Sequence, residues 1–369
     1  MTCWPRRRIV PADAADPVQV RRFGVGLYTG QHPDGDRSRR SYQDLTALAA
    51  AAEQAGFDSF WVTEHHGLPD GYLPSPLTAL AAVATATRSI QLGTGLALAP
   101  LHHPLRLAED AVVVDQLSAG RLVLGLGLGY AAEEYRTFGV DPSTRGARLD
   151  ELVSMLRQAW TGEPFSCRGP TIEFDRARVT PKPWREEGIP IWLGGYAQRA
   201  VRRAGQLADA HLVGKGAPDV IAAASDVLRT VRSPDDPGFV RAVNLASVLD
   251  EPDGGAGSAR RAFARQQQIY ERIQAGRDVY GGLVADPSGA QGLAGGSIDS
   301  DIQVSGDTDQ VVARLRGVLD GLRGWANVHL VLRLLFPEPD LDVQLARLAA
   351  FGERVLPRLR DDTVGRQHR

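Results

Sequence analysis

Cysteine is almost absent from this 369-residue chain, which has only Cys3 and Cys167, far apart. That excludes a disulfide framework and a thiolate cluster for zinc. No run of 18 or more apolar residues occurs, which excludes a spanning helix. Lysine is nearly missing too: only Lys182 and Lys215 stand among forty-two basic residues, an arginine bias that reads first as coding bias. Neither sign of charge dominates, since forty-four acidic residues leave a net charge of -2. No basic face for nucleic acid or an anionic membrane is therefore expected. Arg6-Arg7-Arg8 is followed by no apolar stretch, so no export signal is read and a cytoplasmic protein is expected. With 43% hydrophobic and 23% charged residues, the chain is globular.

What fills the chain is an alternation of strand-like and helix-like segments. Strands are expected at 22–28, 58–63, 90–98, 121–126, 189–193, 210–213, 240–248 and 327–332. Helices are expected at 76–87, 104–117, from Asp141 to near Trp160, at 197–207, and at about 217–231, 306–322 and 340–356. Ser41, with Asp44 three residues on, is read as the cap of a further helix that Gly56 ends. Eight strands interleaved with helices imply a parallel sheet, closed as an α/β (β/α)8 TIM barrel, with a doubly wound open sheet as the competing solution. Two stretches break the rhythm: a small β excursion at 163–180, and an insertion at 250–300. The latter holds one helix near 258–275 and a Gly/Ala-rich segment, lid or disordered, at 281–300. The domain reading is an N-terminal extension, 1–21, and one barrel, 22–360.

In such a barrel the chemistry gathers at the carboxyl ends of the strands. Strand 2 ends in Thr63-Glu64-His65-His66, and strand 3 leaves through His102-His103. Adjacent residues on an extended segment point to opposite sides, so neither pair presents both rings to one ion. A metal would need one histidine from each pair and a carboxylate such as Glu64, and none is expected. One histidine at the strand 2 end is read instead as facing the mouth, as an acid, base or donor, or as bridging loop backbone groups. Gly125-Leu126-Gly127-Leu128-Gly129 has the wrong spacing for a dinucleotide fingerprint. Its glycines either admit a flat ligand or fit a crowded barrel. Gly194-Gly195 before a helix offers backbone N–H groups to a phosphate.

These segments together resemble the bacterial luciferase-like flavin-dependent monooxygenases. The similarity is dense from Tyr42 to Gly214. It includes Ala55 to His66, Leu92 to His103-Pro104, Asp115 to Arg121, Gly125 to Tyr130, Phe138 to Asp141, Trp160 to Gly162 and Pro190 to Gly195. It resumes at Gly306-Asp307-Thr308 and Leu332-Arg333-Leu334-Leu335-Phe336-Pro337. The resemblance implies a barrel, usually dimeric, that binds reduced FMN or, in a sister branch, F420. In the FMN branch a separate flavin reductase supplies the reduced flavin, and O2 gives a C4a-peroxyflavin that oxygenates a small organic substrate.

Carried onto this chain, the resemblance makes His65 the catalytic histidine. It puts Gly95-Leu96 at a bulge with a non-prolyl cis peptide behind the flavin ring. Leu128, Gly129 and Tyr130 fall beside the flavin, and Gly194, Gly195, Tyr196, Ala197 and Gln198 fall near its phosphate, with Arg199 as a charge partner. Leu128 stands where the family often has arginine, and Ala197 where it often has serine or threonine, which suggests weak flavin binding or another cofactor. Glu64-His65-His66 resembles the FMN branch more than the F420 branch, and Gly127 stands where luciferase itself has cysteine. The leading expectation is an FMNH2-dependent monooxygenase. An F420-dependent hydride-transfer enzyme and a non-catalytic flavin-binding barrel are the alternatives.

Overall fold

Eight parallel strands pair in succession and return on themselves. They are β1 (Val20–Tyr28), β2 (Ser59–Val62), β3 (Gln91–Thr94), β4 (Leu122–Gly127), β5 (Ile191–Gly194), β6 (Ala210–Val213), β7 (Val240–Leu249) and β8 (Asn327–Arg333). The ladder closes where β8 pairs with β1, Val20 opposite Asn327 and Gly26 opposite Arg333. The sheet is a closed barrel, and the open-sheet alternative falls away. This computed structural model describes residues 19–32, 38–214, 217–250, 256–275, 304–338 and 340–361. Almost all of the expected 1–21 extension and the whole of 281–300 lie outside the described residues.

Helices follow the strands as amphipathic alternation requires, among them Pro76–Ala86, Pro104–Leu117, Arg145–Ala159, Gln198–Leu207, Pro218–Arg229, Thr308–Gly321 and Leu341–Ala350. Asp307 caps Thr308–Gly321 in a capping box with Gln310. The excursion at 163–180 is an antiparallel hairpin of Phe165–Arg168 and Glu173–Ala177. A helix spans Ala256–Ala275, and a short strand, Val304–Gly306, extends the sheet beside β7. The helix expected to begin at Ser41 begins at Ser38 instead. Ser41 sits inside it, its Oγ donating to the Gln31 carbonyl at 3.2 Å and its own carbonyl accepting from the Tyr28 hydroxyl at 2.5 Å. The local capping pattern was genuine in spacing, but the serine is used to tie the helix to the end of β1.

Inside the barrel, alternate residues of each strand meet on the axis. Trp61 of β2 is fully buried there, 4.8 Å from Trp192 of β5 between ring centroids. Its Nε1 donates to Ser59 Oγ at 2.6 Å, and that oxygen lies 2.7 Å from His329 Nε2. Burial pushes His329 down to about 3, so this ring is neutral. Burying an indole of this size is worth about 4 kcal/mol by area. The walls must yield to it: a Cβ on Gly93 would run into the Trp61 ring, and one on Gly24 would meet Ser59 Oγ and Trp61.

Gly93→Ala is therefore expected to destabilise the protein by about 1–3 kcal/mol through overpacking. Trp61→Phe, made in the same chain, should recover part of that loss. Urea midpoints of the two single variants and the double variant measure the coupling, and strictly additive losses would refute the contact.

Candidate active site

Beyond Val62 the inward side of β2 continues through Thr63 and His65, which are buried at the carboxyl end of the barrel. His65 Nδ1 lies 2.8 Å from Glu134 Oε1, and its Nε2 lies 3.3 Å from the Tyr130 hydroxyl. Glu134 belongs to the helix Ala132–Thr137 that follows β4, and the same Oε1 accepts the His66 backbone N–H at 2.8 Å. An ionised carboxylate only accepts, so the Nδ1 proton points at Glu134 and Nε2 is the atom presented to the mouth. Glu134 Oε2 is buried and has no hydrogen-bond partner among the described residues.

Aromatic edges surround that imidazole. Tyr72 stands 4.9 Å away at 90°, Tyr130 5.3 Å away at 71°, and Tyr270 of the helix Ala256–Ala275 6.1 Å away. The Tyr72 hydroxyl accepts from Thr63 Oγ1 at 3.0 Å and lies 2.8 Å from the Tyr270 hydroxyl. Burial, with Tyr270 beside it, holds the Tyr72 phenol well above its ordinary pKa, so it remains a neutral donor. From β8, Arg333 donates to the Tyr270 hydroxyl at 3.3 Å and to Gln266 Oε1. Gln266 in turn donates to Gln31 Oε1 at 2.6 Å, and Gln31 donates to Asp70 at 2.5 Å. The polar residues at the ends of β1, β2 and β8 thus form one connected network.

Glu64 points the other way. Its Oε1 lies 2.8 Å from His66 Nε2 and 2.9 Å from His102 Nε2, and its Oε2 accepts the Leu98 N–H at 2.8 Å. Burial opposes its ionisation, yet the hydrogen bonds from His102 and His66 and from Leu98 bring its pKa down to about 2. Burial likewise works against the charged form of His102, but the bond to Glu64 raises its pKa overall. This carboxylate takes one histidine from each His-His pair. Among the described residues, no group of three or more His, Cys, Asp or Glu is arranged to hold a metal ion.

Across the mouth the lining is apolar. The Gly95–Leu96 peptide is cis, as the resemblance implied, and Gly26–Leu27 is a second non-prolyl cis peptide. The Leu96 side chain occupies the space that a Cβ on Gly127 or Gly194 would need, and the Thr94 carbonyl occupies that of Gly125. The glycine run of β4 is thus explained by a crowded barrel. Leu128 is only partly buried and packs on the outer core, while its carbonyl accepts from the Tyr135 hydroxyl. Gly129, at φ +72°, turns the chain against Leu98 so that Tyr130 reaches His65.

Gly194 ends β5, and Gly195 has φ +146°, where a Cβ would also strike Ala200. Ala197 is the N-cap of Gln198–Leu207 and supplies no capping side chain; Tyr196 and Gln198 are exposed. The Gly195 carbonyl lies 2.8 Å from His211 Nε2, and Arg241 donates to His211 Nδ1 at 2.9 Å. Because a guanidinium only donates, the His211 proton sits on Nε2 and is given to Gly195. Burial, then Arg241, push His211 down to about 3 and so keep it neutral.

Thus Tyr130 joins His65, and Leu96 touches Gly194, whereas Leu128 faces away from both groups. Glu134, Tyr72, Tyr270, Arg333 and the His211–Arg241 pair escaped the sequence reading. Only the inward register of β8 could have pointed to Arg333, and Glu134 carries no spacing signal toward His65.

A luciferase-like monooxygenase family model matches residues 21–322. The chain belongs to this family. It is 33% identical to 4-hydroxyprotoasukamycin monooxygenase of Streptomyces nodosus subsp. asukaensis, over 52% of this chain and 53% of that protein. It is 30% identical to F420-dependent glucose-6-phosphate dehydrogenase of Nakamurella multipartita, over 86% of this chain and 92% of that one. The oxygenating constituent of 3,6-diketocamphane monooxygenase from Pseudomonas putida, solved with FMN, shares the fold. Its TM-score is 0.71 at 19% identity, covering 92% of this chain and 98% of that one. The chain spans about half the length of the first curated relatives it matches. An F420-dependent dehydrogenase thus stands among its relatives and a protein solved with FMN among its structural neighbours. Among the described residues, no helix is long and apolar enough to cross a membrane.

Glu64 gives this luciferase-like barrel a testable pH signature. Its lowered pKa contributes stability that is present above its ordinary 4.5 and fades as pH falls toward 2. The raised pKa of His102 contributes fully below its ordinary 6.5 and fades as pH rises through the folded value. Glu64→Gln should therefore cost most between about pH 4.5 and 6.5, on the order of 3 kcal/mol, and less at about pH 9. Urea midpoints of parent and variant at both values decide it; an equal loss at each would count against the pairing.

Proposed function

We propose that this protein is a monooxygenase that uses reduced FMN and O2 to oxygenate a small organic substrate. The observation that carries the reading is His65, buried at the mouth, oriented by Glu134 and with Nε2 aimed into the site. The fit to a flavin rests on two features of this chain. Gly194, Gly195 and the N-terminal end of Gln198–Leu207, uncapped by Ala197, form a cradle that a Cβ at Gly195 would spoil, suited to a phosphate. Gly95, Leu96, Gly129 and Tyr130 line the adjoining wall for a flat ring. Leu128, which packs on the outer core, is a flank of that wall and not a contact.

Reduced FMN, when bound, supplies the two electrons with which one oxygen atom of O2 enters substrate and the other leaves as water. This chain's residues bind, orient and protect. His65 Nε2 gives or takes a proton at the mouth, and Glu134 holds the ring so that Nδ1 cannot compete for that role. Tyr72, Tyr130 and Tyr270 exclude water around the imidazole. A separate flavin reductase as the source of FMNH2, a homodimer and a cytoplasmic location belong to the same proposal. So does one barrel over 22–360, with its excursion at 163–180 and its 250–300 insertion covering the mouth; Ala256–Ala275 is the described part of that cover.

F420-dependent hydride transfer is the second reading, favoured by the near full-length match to an F420-dependent dehydrogenase. The test mixes the protein anaerobically with reduced FMN, then with air, and follows flavin absorbance; reduced F420 is titrated in parallel. Reoxidation of FMN slower than that of the free flavin is expected, with little F420 binding. Tight F420 binding together with free-flavin kinetics would overturn the FMN assignment. His65→Ala should bind FMN within about three-fold of the parent and lower turnover roughly 10²–10⁴-fold. Unchanged turnover would remove His65 from the chemistry.

A further inference from the structure

Arg333 occupies a position that a structural cation does not require. Odd-numbered residues of β8 face the barrel axis: His329 meets Trp61 and Trp192, and Val331 packs with the interior cluster. Arg333 is the next on that face, at the last residue of the strand and hence at the mouth. Its neighbours in register, Gly26 on β1 and Ala246 on β7, are both small. Its guanidinium bonds Gln266 Oε1 and the Tyr270 hydroxyl, both neutral, and lies against the Phe263 and Tyr270 rings at 5.5 and 5.4 Å. Among the described residues, its Nε is buried without a hydrogen bond and the guanidinium forms no ion pair with a carboxylate. One aromatic ring, Tyr270, separates it from His65.

A half-buried guanidinium with a spare N–H edge and no counter-ion is incompletely compensated. Arginine's planar fork matches a carboxylate, which can take two parallel N–H bonds. The phosphate cradle at Gly194–Gln198 lies at the end of β5, away from β8 in the barrel order, so Arg333 is not part of it. We propose that Arg333 anchors the carboxylate of the substrate, and that the substrate is a small organic acid whose apolar body lies among Tyr72, Tyr130 and Tyr270 beneath His65 Nε2. This deepens the monooxygenase reading and rests on it for the identity of the reaction. The anchoring itself is measured apart from any cofactor.

Calorimetric titration of the flavin-free protein with benzoate and with its neutral isostere benzamide tests it. Benzoate should bind roughly ten-fold or more tightly than benzamide. Arg333→Met, which keeps the apolar stem, should abolish that preference while moving benzamide less than about two-fold; Arg333→Lys should keep part of it. Equal binding of the two probes, failure of benzoate to bind, or a preference that survives in Arg333→Met would each overturn the proposal. Thermal midpoints identify a variant that has lost its fold, in which case Arg333→Lys carries the comparison. Reoxidation of reduced FMN by the same variants reports separately on the cofactor, so failure of the anchor and failure of the FMN reading leave different traces.

Discussion

The architecture turns on one steric fact: an indole fills the barrel below its mouth. Trp61 is fully buried against Trp192, and its Nε1 is satisfied by Ser59 within the same strand. A closed eight-stranded barrel has room on its axis for little more than its own side chains. A large ring from β2 therefore demands that β1 and β3 contribute almost nothing at the same level, which Gly24 and Gly93 satisfy. Leu96 repeats the arrangement one layer higher, with Gly127 and Gly194 giving way to it, while Gly125 gives way to the Thr94 carbonyl. The barrel is sealed from below, and chemistry is confined to the upper rim.

On that rim, adjacent histidines are sorted by the strand's two-residue period. His65 and His66 point to opposite sides, and each finds a different carboxylate, Glu134 for one side chain and Glu64 for the other. Glu64 also draws in His102 and the Leu98 N–H, pinning the end of β2 to the exit of β3. Glu134 reaches from beyond β4 and also accepts the His66 N–H. Two buried acids thus fix three strand ends relative to one another. The imidazole facing the mouth is held by groups that do not face it.

Much of this was legible in the sequence because its cause is local. Strand and helix periods located all eight barrel strands, with ends off by a residue or two except at β3, which stops at Thr94 where 90–98 was expected, and the Gly-Leu run was read as either ligand access or crowding. Leu96 decides for crowding, a contact between strands that no single segment encodes. Ser41 had the spacing of a cap, yet its hydroxyl donates to the Gln31 carbonyl and its own carbonyl accepts from the Tyr28 hydroxyl. His65 stood out by position, but Glu134 is 69 residues away, and only the fold brings them together. Leu128 was placed beside the flavin by the resemblance; it lies just past the end of β4 and packs on the outer core.

The same alternation divides the mouth into two halves of different character. Toward β3, β4 and β5 the inward positions are Gly95, Gly125, Gly127 and Gly194, the last two covered by Leu96, so that this side presents chiefly an apolar side chain. Toward β8, β1 and β2 they are Arg333, Thr63 and His65; Arg333 and Thr63 are tied through Tyr72, Tyr270 and Gln266 into one hydrogen-bonded network, while His65 bonds Glu134 and Tyr130 and meets Tyr72 and Tyr270 only by ring contact. A flat cofactor gains from the first surface, where close approach and dispersion count most. A substrate that must be oriented gains from the second, where donors are fixed in direction before it arrives. Leu96 and Tyr130 stand on opposite edges of the boundary, one touching Gly194 and the other His65. The division gives the mouth one apolar half and one hydrogen-bonding half, and it follows from which strands carry glycine.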